Sequence, residues 1–187
     1  MVDTSKTVQG LLDAGILPNT ILNEGIDSIY FIGLNYAGGI IFYMESNGTG
    51  LVAAPEDQST GAEWGCFETE ITGADGVLIG SGNQNTIDIE AGCATAGIAA
   101  DICANLSLNG FTDWFLPSLD ELNEMYTKIG QGAAAPNTNI GNFAADYYWS
   151  STEYDNLDSA WLQDFNNGIQ YLNFKFFINN VRAVRAF

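Results

Sequence analysis

The sequence predicts an α+β domain with two helices packed on short antiparallel strands. Three observations predict it. An apolar, β-forming run at Gly38–Met44 is followed by a turn and a second such run. Two stretches in the middle of the chain carry apolar residues at helical spacing. Short strand-like segments broken by Asn, Asp and Gly fill much of the rest. At 187 residues the expected organisation is one domain, 36–187, preceded by a short appendage of capped turns, 1–35.

Within the appendage, Leu11-Leu12-Asp13-Ala14-Gly15-Ile16 is echoed by Ile21-Leu22-Asn23-Glu24-Gly25-Ile26. Each copy reads as a helical turn closed by a glycine that takes the left-handed conformation. Two copies are too few for a solenoid. They suit either turns packed on the main domain or a joint to a preceding module. Gly38 to Met44 is then a buried strand, Asn47-Gly48 and Thr49-Gly50 a turn, and Leu51 to Ala54 the returning strand. Pro55 to Asn85 is rich in Gly, Thr, Ser and Asp and reads mostly as loop. Gly92 to Leu108 is Ala-rich and predicts a helix of about four turns, stopped at Asn109-Gly110. Ser118 and Glu121 stand three apart, the spacing of a capping box. They open a helix whose buried stripe is Leu119, Leu122, Met125 and Tyr126, with acids at 120, 121 and 124 near its positive end. Gln131 to Asn142 reads as a Gly/Ala/Asn loop. Trp114, Leu116, Trp149 and Trp161 sit in rigid-looking motifs and are expected to be buried.

Composition narrows the function. A hydrophobic content of 47% excludes whole-chain disorder. No apolar run approaches the roughly 20 residues that span a bilayer. The net charge is -18, with five basic residues. Nucleic acid and anionic membrane surfaces are therefore poor partners. Three of the five bases, Lys175, Arg182 and Arg185, fall in the last thirteen residues, and the two arginines are expected to pair with carboxylates. The absence of histidine removes the commonest general base and the usual serine and cysteine triads. It also argues against zinc. Cys103 shares a helical face with Ile98, Ile102 and Leu106 and reads as a core residue. Cys66 and Cys93, both beside glycines, are candidates for a disulfide if the protein works outside a cell.

The segment from Asp155 to Asn180 follows neither helical periodicity nor strict alternation. Packing would keep apolar residues in register with one face. A segment selected for what it touches outside the fold need not, which points to a binding surface on a fixed scaffold.

Five motifs occur in an order that resembles one family. They are Gly38-Gly39-Ile40-Ile41-Phe42-Tyr43, Ala54-Pro55-Glu56-Asp57-Gln58-Ser59-Thr60, Asp113-Trp114-Phe115-Leu116-Pro117-Ser118 with Asp120-Glu121-Leu122, Tyr148-Trp149-Ser150-Ser151-Thr152-Glu153, and Val181-Arg182-Ala183-Val184-Arg185-Ala186-Phe187. The chain from about Tyr36 onward resembles the Lcl-type domain at the C-terminus of collagen-like bacterial adhesins. That domain is similar to the formylglycine-generating-enzyme branch of the C-type lectin fold, so the resemblance implies a C-type-lectin-like fold. Many relatives are variable proteins of diversity-generating retroelements, where reverse transcription mutates template adenines and Asn codons of the AAC type become any codon ending in C. Such codons cannot encode Trp, Gln, Glu, Met or Lys. Positions 155 to 159, 171 to 174 and 176 to 180 contain none of these, whereas Trp161, Gln163, Gln170 and Lys175 interrupt them.

The resemblance implies a ligand-binding site of receptor or adhesin type, diversified by a retroelement and built from Asp155, Asn156, Leu157, Asp158, Ser159, Leu162, Asp164, Ile169, Tyr171, Leu172, Asn173, Phe174, Phe176, Phe177, Ile178, Asn179 and Asn180. Aromatics would give contact area at low entropic cost and asparagines adaptable hydrogen bonding. Because Phe176 and Phe177 are adjacent, they cannot share one face of a strand, which argues against a core role for all the aromatics. The expected partner is a protein or glycan on a cell surface, and the expected location is extracellular, on a cell or a virion, although no signal peptide is legible. No cofactor, catalytic residue or metal site is expected.

Three other classes of function compete. The first is an enzyme: the oxidase of the related branch looks dependent on a cysteine pair near its C-terminus, and no cysteine follows Cys103 here, while a carboxylate-pair hydrolase would draw on the abundant acids. The second is calcium-dependent sugar binding, with oxygen ligands from Pro136-Asn137-Thr138-Asn139 and the Asp155–Asp158 loop, but the Glu-Pro-Asn and Trp-Asn-Asp signatures of such lectins are missing. The third is a fixed glycan-binding adhesin with no diversification.

Overall fold

The computed structural model describes residues 7–154 and 157–187. Short helices α1 (Val8–Asp13) and α2 (Pro18–Asn23) and a 3-10 turn (Ser28–Phe31) come first. Gly15 and Gly25 close the two helices at φ +80° and +86°. Leu11, Leu12, Ile21 and Phe31 are buried in the same apolar cluster as Trp114, Trp149 and Val181, so these turns pack on the main body.

One sheet holds β1 (Asn35–Tyr36), β2 (Gly39–Met44), β3 (Gly50–Ala53) and β9 (Val184–Ala186) in that order. The second has the order β4 (Ser59–Glu63), β8 (Ile178–Val181), β5 (Tyr147–Glu153), β6 (Ser159–Asp164), β7 (Gln170–Phe174). All strand pairs are antiparallel except β5 with β8, which is parallel. That pairing is where the chain departs from wholly antiparallel strands. The long helices are α3 (Gly82–Gly92) and α5 (Leu119–Ile129); α4 (Ala99–Ala104) is short.

The α+β class holds, but the helices differ in number and place from the expectation. The four-turn helix over 92–108 is only α4, because the chain turns extended at Cys93 and Gly97 sits at φ +80°. Much of the helical structure lies instead in α3, which begins inside the stretch read as loop; that stretch also contains β4. The buried face of α3 is Asn85, Thr86 and Ile89. Asn85 bonds to the backbone of Gly76 and to Ser151 Oγ, while Thr86 bonds to Gly82 and Leu116. A buried face this polar leaves no apolar periodicity to read. Gly82 is required there, since a Cβ would overlap the Glu121 carboxylate.

The α5 start has the expected capping box, with Glu121 N donating to Ser118 Oγ and Ser118 N to Glu121 Oε2. Leu122, Met125 and Ile129 pack with Phe42, Phe115, Phe143, Tyr148 and Phe165 in a second core cluster. Two arginines tie the last strands to the rest of the fold. Arg182 Nε donates to Asp57 Oδ1 at 2.7 Å and its Nη1 to the carbonyls of Ala54 and Gly141. Arg185 pairs with Asp113 and stacks 3.8 Å over Phe111; the guanidinium holds the Asp113 carboxyl below its ordinary range. Trp114, Leu116 and Trp149 are buried as expected, whereas Trp161 on β6 is only half-buried, lying edge-on to Tyr154.

Candidate ligand-binding surface

Among its described residues the irregular segment becomes β6, β7 and most of β8, with a tight turn at 175–177 between the last two. Strand β6 pairs on both sides: Leu162 stands opposite Trp149 of β5 and Tyr171 of β7. Strand β7 has β6 as its one neighbour and forms the sheet edge. Bonds at the two ends of this ladder, Asp164 N to Ile169 O and Lys175 N to Asp158 O, both 2.9 Å, fix its alternation. The backbones of Ile169, Tyr171 and Asn173 therefore turn toward β6, and those of Gln170, Leu172 and Phe174 turn outward. Phe174 is partly blunted as an edge, because its N–H donates to Asn173 Oδ1 and its C=O accepts from Phe177 N.

Beneath the turn after β7, Lys175 is fully buried. Its ammonium pairs with the Glu153 carboxylate, donates to Thr69 O at 2.7 Å and lies 4.8 Å from the Trp64 ring centre. Glu153 also accepts from Ile71 N, and Trp64 N donates to Lys175 O. Burial pushes the Glu153 carboxyl up, against the opposing pull of Lys175 and the Ile71 amide. One ion pair thus ties the loop 64–71 to the turn 175–177.

The turn throws its aromatic rings outward. Phe174 and Phe176 stack with centres 5.6 Å apart, and Phe176 and Phe177 lie 4.6 Å apart. Adjacent phenylalanines do share a face here, since residues 175–177 form a turn rather than a strand. Phe67 stands edge-on to Phe176 at 4.9 Å and to Phe174 at 6.2 Å. Phe67 is held by its neighbour Cys66, which is disulfide-bonded to Cys93 at the end of α3. All four rings are exposed, as is Ile178 beside them. On the other side of the sheet edge, Tyr147, Leu162, Tyr171, Leu172 and Asn173 line a shallow depression of about 300 Å³, with Tyr147 and Tyr171 edge-on at 6.1 Å.

The structure separates the candidate residues into groups. Leu157, Ile169, Tyr171, Leu172, Phe174, Phe176, Phe177 and Ile178 are exposed, and Asp158 and Asn173 are half-buried. Asp155 and Asn156 lie outside the described residues. Ser159, Leu162, Asp164, Asn179 and Asn180 are buried, which corrects the expectation that they face outward. Leu162 is covered because β6 is an inner strand, although its edge reaches the floor of the depression. Asp164 caps the β6–β7 hairpin, accepting from Asn166 N and Asn167 Nδ2. Asn179 and Asn180 lie on β8, between β4 and β5.

Sequence reading missed Phe67, far from the segment in the chain, and Tyr147, which precedes it on β5. A lone phenylalanine in the acidic run Glu63-Trp64-Gly65-Cys66-Phe67-Glu68-Thr69-Glu70 was the available signal for the first. For the second there was none, since Tyr147 is exposed at the start of β5 while the rest of that strand is buried on both faces.

Of the two loops weighed for calcium, the one at 155–158 lies partly outside the described residues and the one at 136–139 is tied into the fold. Asn137 Nδ2 donates to Ile32 O, Thr138 Oγ1 to Ala133 O, and Asn139 Oδ1 accepts from Phe143 N. Among the described residues no group of three or more His, Cys, Asp or Glu is arranged to hold a metal, and no helix is long and apolar enough to cross a membrane. The family model of the Lcl C-terminal domain matches residues 54–185. No curated protein matches the chain.

Proposed function

We propose that this chain, which belongs to the Lcl C-terminal domain family, is a non-enzymatic ligand-binding domain of receptor or adhesin type. Its contact surface is the exposed edge of the second sheet, and we further propose that a retroelement diversifies that surface. The observation that carries the reading is the cluster of Phe67, Phe174, Phe176 and Phe177, four exposed rings in mutual contact over a rigid base. Contiguous exposed apolar groups mark interaction sites. The scaffold suits exchange at these positions, because exposed side chains contribute little to stability while buried ones contribute several kcal/mol. The Cys66–Cys93 disulfide supports work outside a reducing compartment, on a cell surface or a virion. A non-catalytic role is supported by the use of the buried carboxylates: Glu153 is tied to Lys175, Asp57 to Arg182, and Glu121 to a helix cap.

Deep sequencing of the gene and its flanks tests the reading. The expected result is a nearby reverse transcriptase, an adenine-rich template repeat, and variation concentrated at 157, 169, 171, 172, 174 and 176–178, with the buried positions constrained. Absence of the repeat and of variation would leave a fixed adhesin. Replacing Tyr171, Phe174 and Phe176 together by Ser tests the surface itself. The melting temperature should stay within a few degrees of the parent's, since exposed substitutions change stability by about 0.5 kcal/mol or less each. Loss of the fold would show these rings to be core.

A further inference from the structure

The chemistry around the phenylalanine cluster narrows its partner; this step rests on the reading of the sheet edge as a binding surface. Every described residue flanking the cluster that carries an exposed charge carries a negative one. Glu68 follows Phe67 in the chain, Glu63 is the register partner of Ile178, and Glu70 acts electrostatically on Glu153 beneath the turn. All three glutamates are exposed. The described cations are elsewhere or covered: Lys175 and Arg182 are buried, Arg185 is paired with Asp113, and Lys128 lies on α5. An apolar aromatic centre inside an acidic rim is therefore the local form of the chain's -18 charge.

We infer that the cluster receives a polypeptide surface that presents an aliphatic or aromatic side chain flanked by Lys or Arg. The apolar side chain fills the space over Phe67, Phe174 and Phe176, where exclusion of water makes the main contribution. The flanking cations meet Glu63, Glu68 and Glu70, which steer encounter and fix orientation. Other occupants fit less well. A polyanionic glycan or an anionic bilayer is repelled by the same three carboxylates. A neutral sugar could bond its hydroxyls to those carboxylates but leaves their charge unmatched, and on β7 the Asn173 Oδ1 already accepts from Phe174 N at 3.1 Å.

The test is selection of a random peptide display library on the intact, disulfide-bonded chain, followed by binding of the enriched synthetic peptides in solution. The expected peptides join an aromatic or aliphatic residue to neighbouring Lys or Arg. Their affinity should fall at least about tenfold on Phe67→Ser with Phe176→Ser, the loss typical of central contacts. It should also fall on Glu63→Lys with Glu68→Lys and Glu70→Lys, and should weaken as salt rises. Both variants lie on exposed side chains, and an unchanged melting temperature verifies their fold. Peptides that need Phe67 and Phe176 but lack Lys and Arg, and ignore the charge reversal, would overturn the cationic partner and leave the binding surface standing. Displacement of the peptides by neutral glycans would overturn the polypeptide assignment. Selection that yields only peptides indifferent to Phe67 and Phe176, or none at all, would overturn the inference and the surface reading together.

Discussion

Strands β6 and β7 belong to one hairpin, and each carries a leucine in a similar apolar setting: Ala160-Trp161-Leu162-Gln163 and Gln170-Tyr171-Leu172-Asn173. Leu162 is 1% exposed and Leu172 41%. The strands differ in position. β6 has a strand on each side, Trp149 beside Leu162, and Gln163 bonded to Asn123 of α5 and to the Gly168 carbonyl. β7 has a strand on one side only. The same residue type is core in one and contact surface in the other for two reasons: β6 is flanked on both sides, and the leucines face opposite sides of the sheet, Leu162 standing beside Tyr171 and Leu172 beside Trp161.

The largest effect that can break this comparison lies beneath the surface. Lys175→Met leaves Glu153 buried without its counter-ion and is expected to cost about 3–5 kcal/mol. Adding Glu153→Gln should recover much of the loss, read as a coupling in a double-mutant cycle by chemical denaturation. If Lys175→Met is harmless, the ion pair does not hold the turn that presents the phenylalanines. Next in size, Leu162→Ala should cost about 2–4 kcal/mol as a cavity-forming change, whereas Leu172→Ala should stay within about 0.5 kcal/mol. Equal losses at the two positions would erase the distinction between inner and edge strand.

Smaller effects sharpen the rigid side of the comparison. Ser118→Ala should lower stability by about 1 kcal/mol through loss of the α5 cap, and an unchanged denaturation midpoint would count against it. Glu121, in the same cap, gives a pH dependence. Its burial raises the carboxyl above the ordinary value, against amide bonds from Ser118 and Gly80. The folded state then holds a proton that the unfolded chain releases. Stability should fall as pH rises from about 4.3, the ordinary glutamate value, through the raised folded value. Glu121→Gln keeps an acceptor for those amides and should flatten this slope. A parental slope that persists in Glu121→Gln would assign it to another group.

Local chemistry was legible in the chain. The Ser118–Glu121 box, the β2–β3 hairpin at Asn47-Gly48 and the glycine-closed turns at Gly15 and Gly25 each depend on residues a few positions apart. The pairing of Arg182 and Arg185 with carboxylates was legible as well, since an always-charged guanidinium that is covered needs an anionic partner and acids are abundant in this chain. Helix α3 was not, because its buried face is satisfied by hydrogen bonds rather than by apolar contact. The candidate surface was half legible: irregular patterning marked the segment 155–180, but patterning does not say which of its strands lies inside. Only the tertiary structure decided that β6 is covered and β7 is not, and that Phe67 meets Phe174 and Phe176 while Tyr147 meets Tyr171. The physical reason is that burial is a property of what packs on a residue, and those partners arrive from distant strands, a buried ion pair and a disulfide that no local window contains.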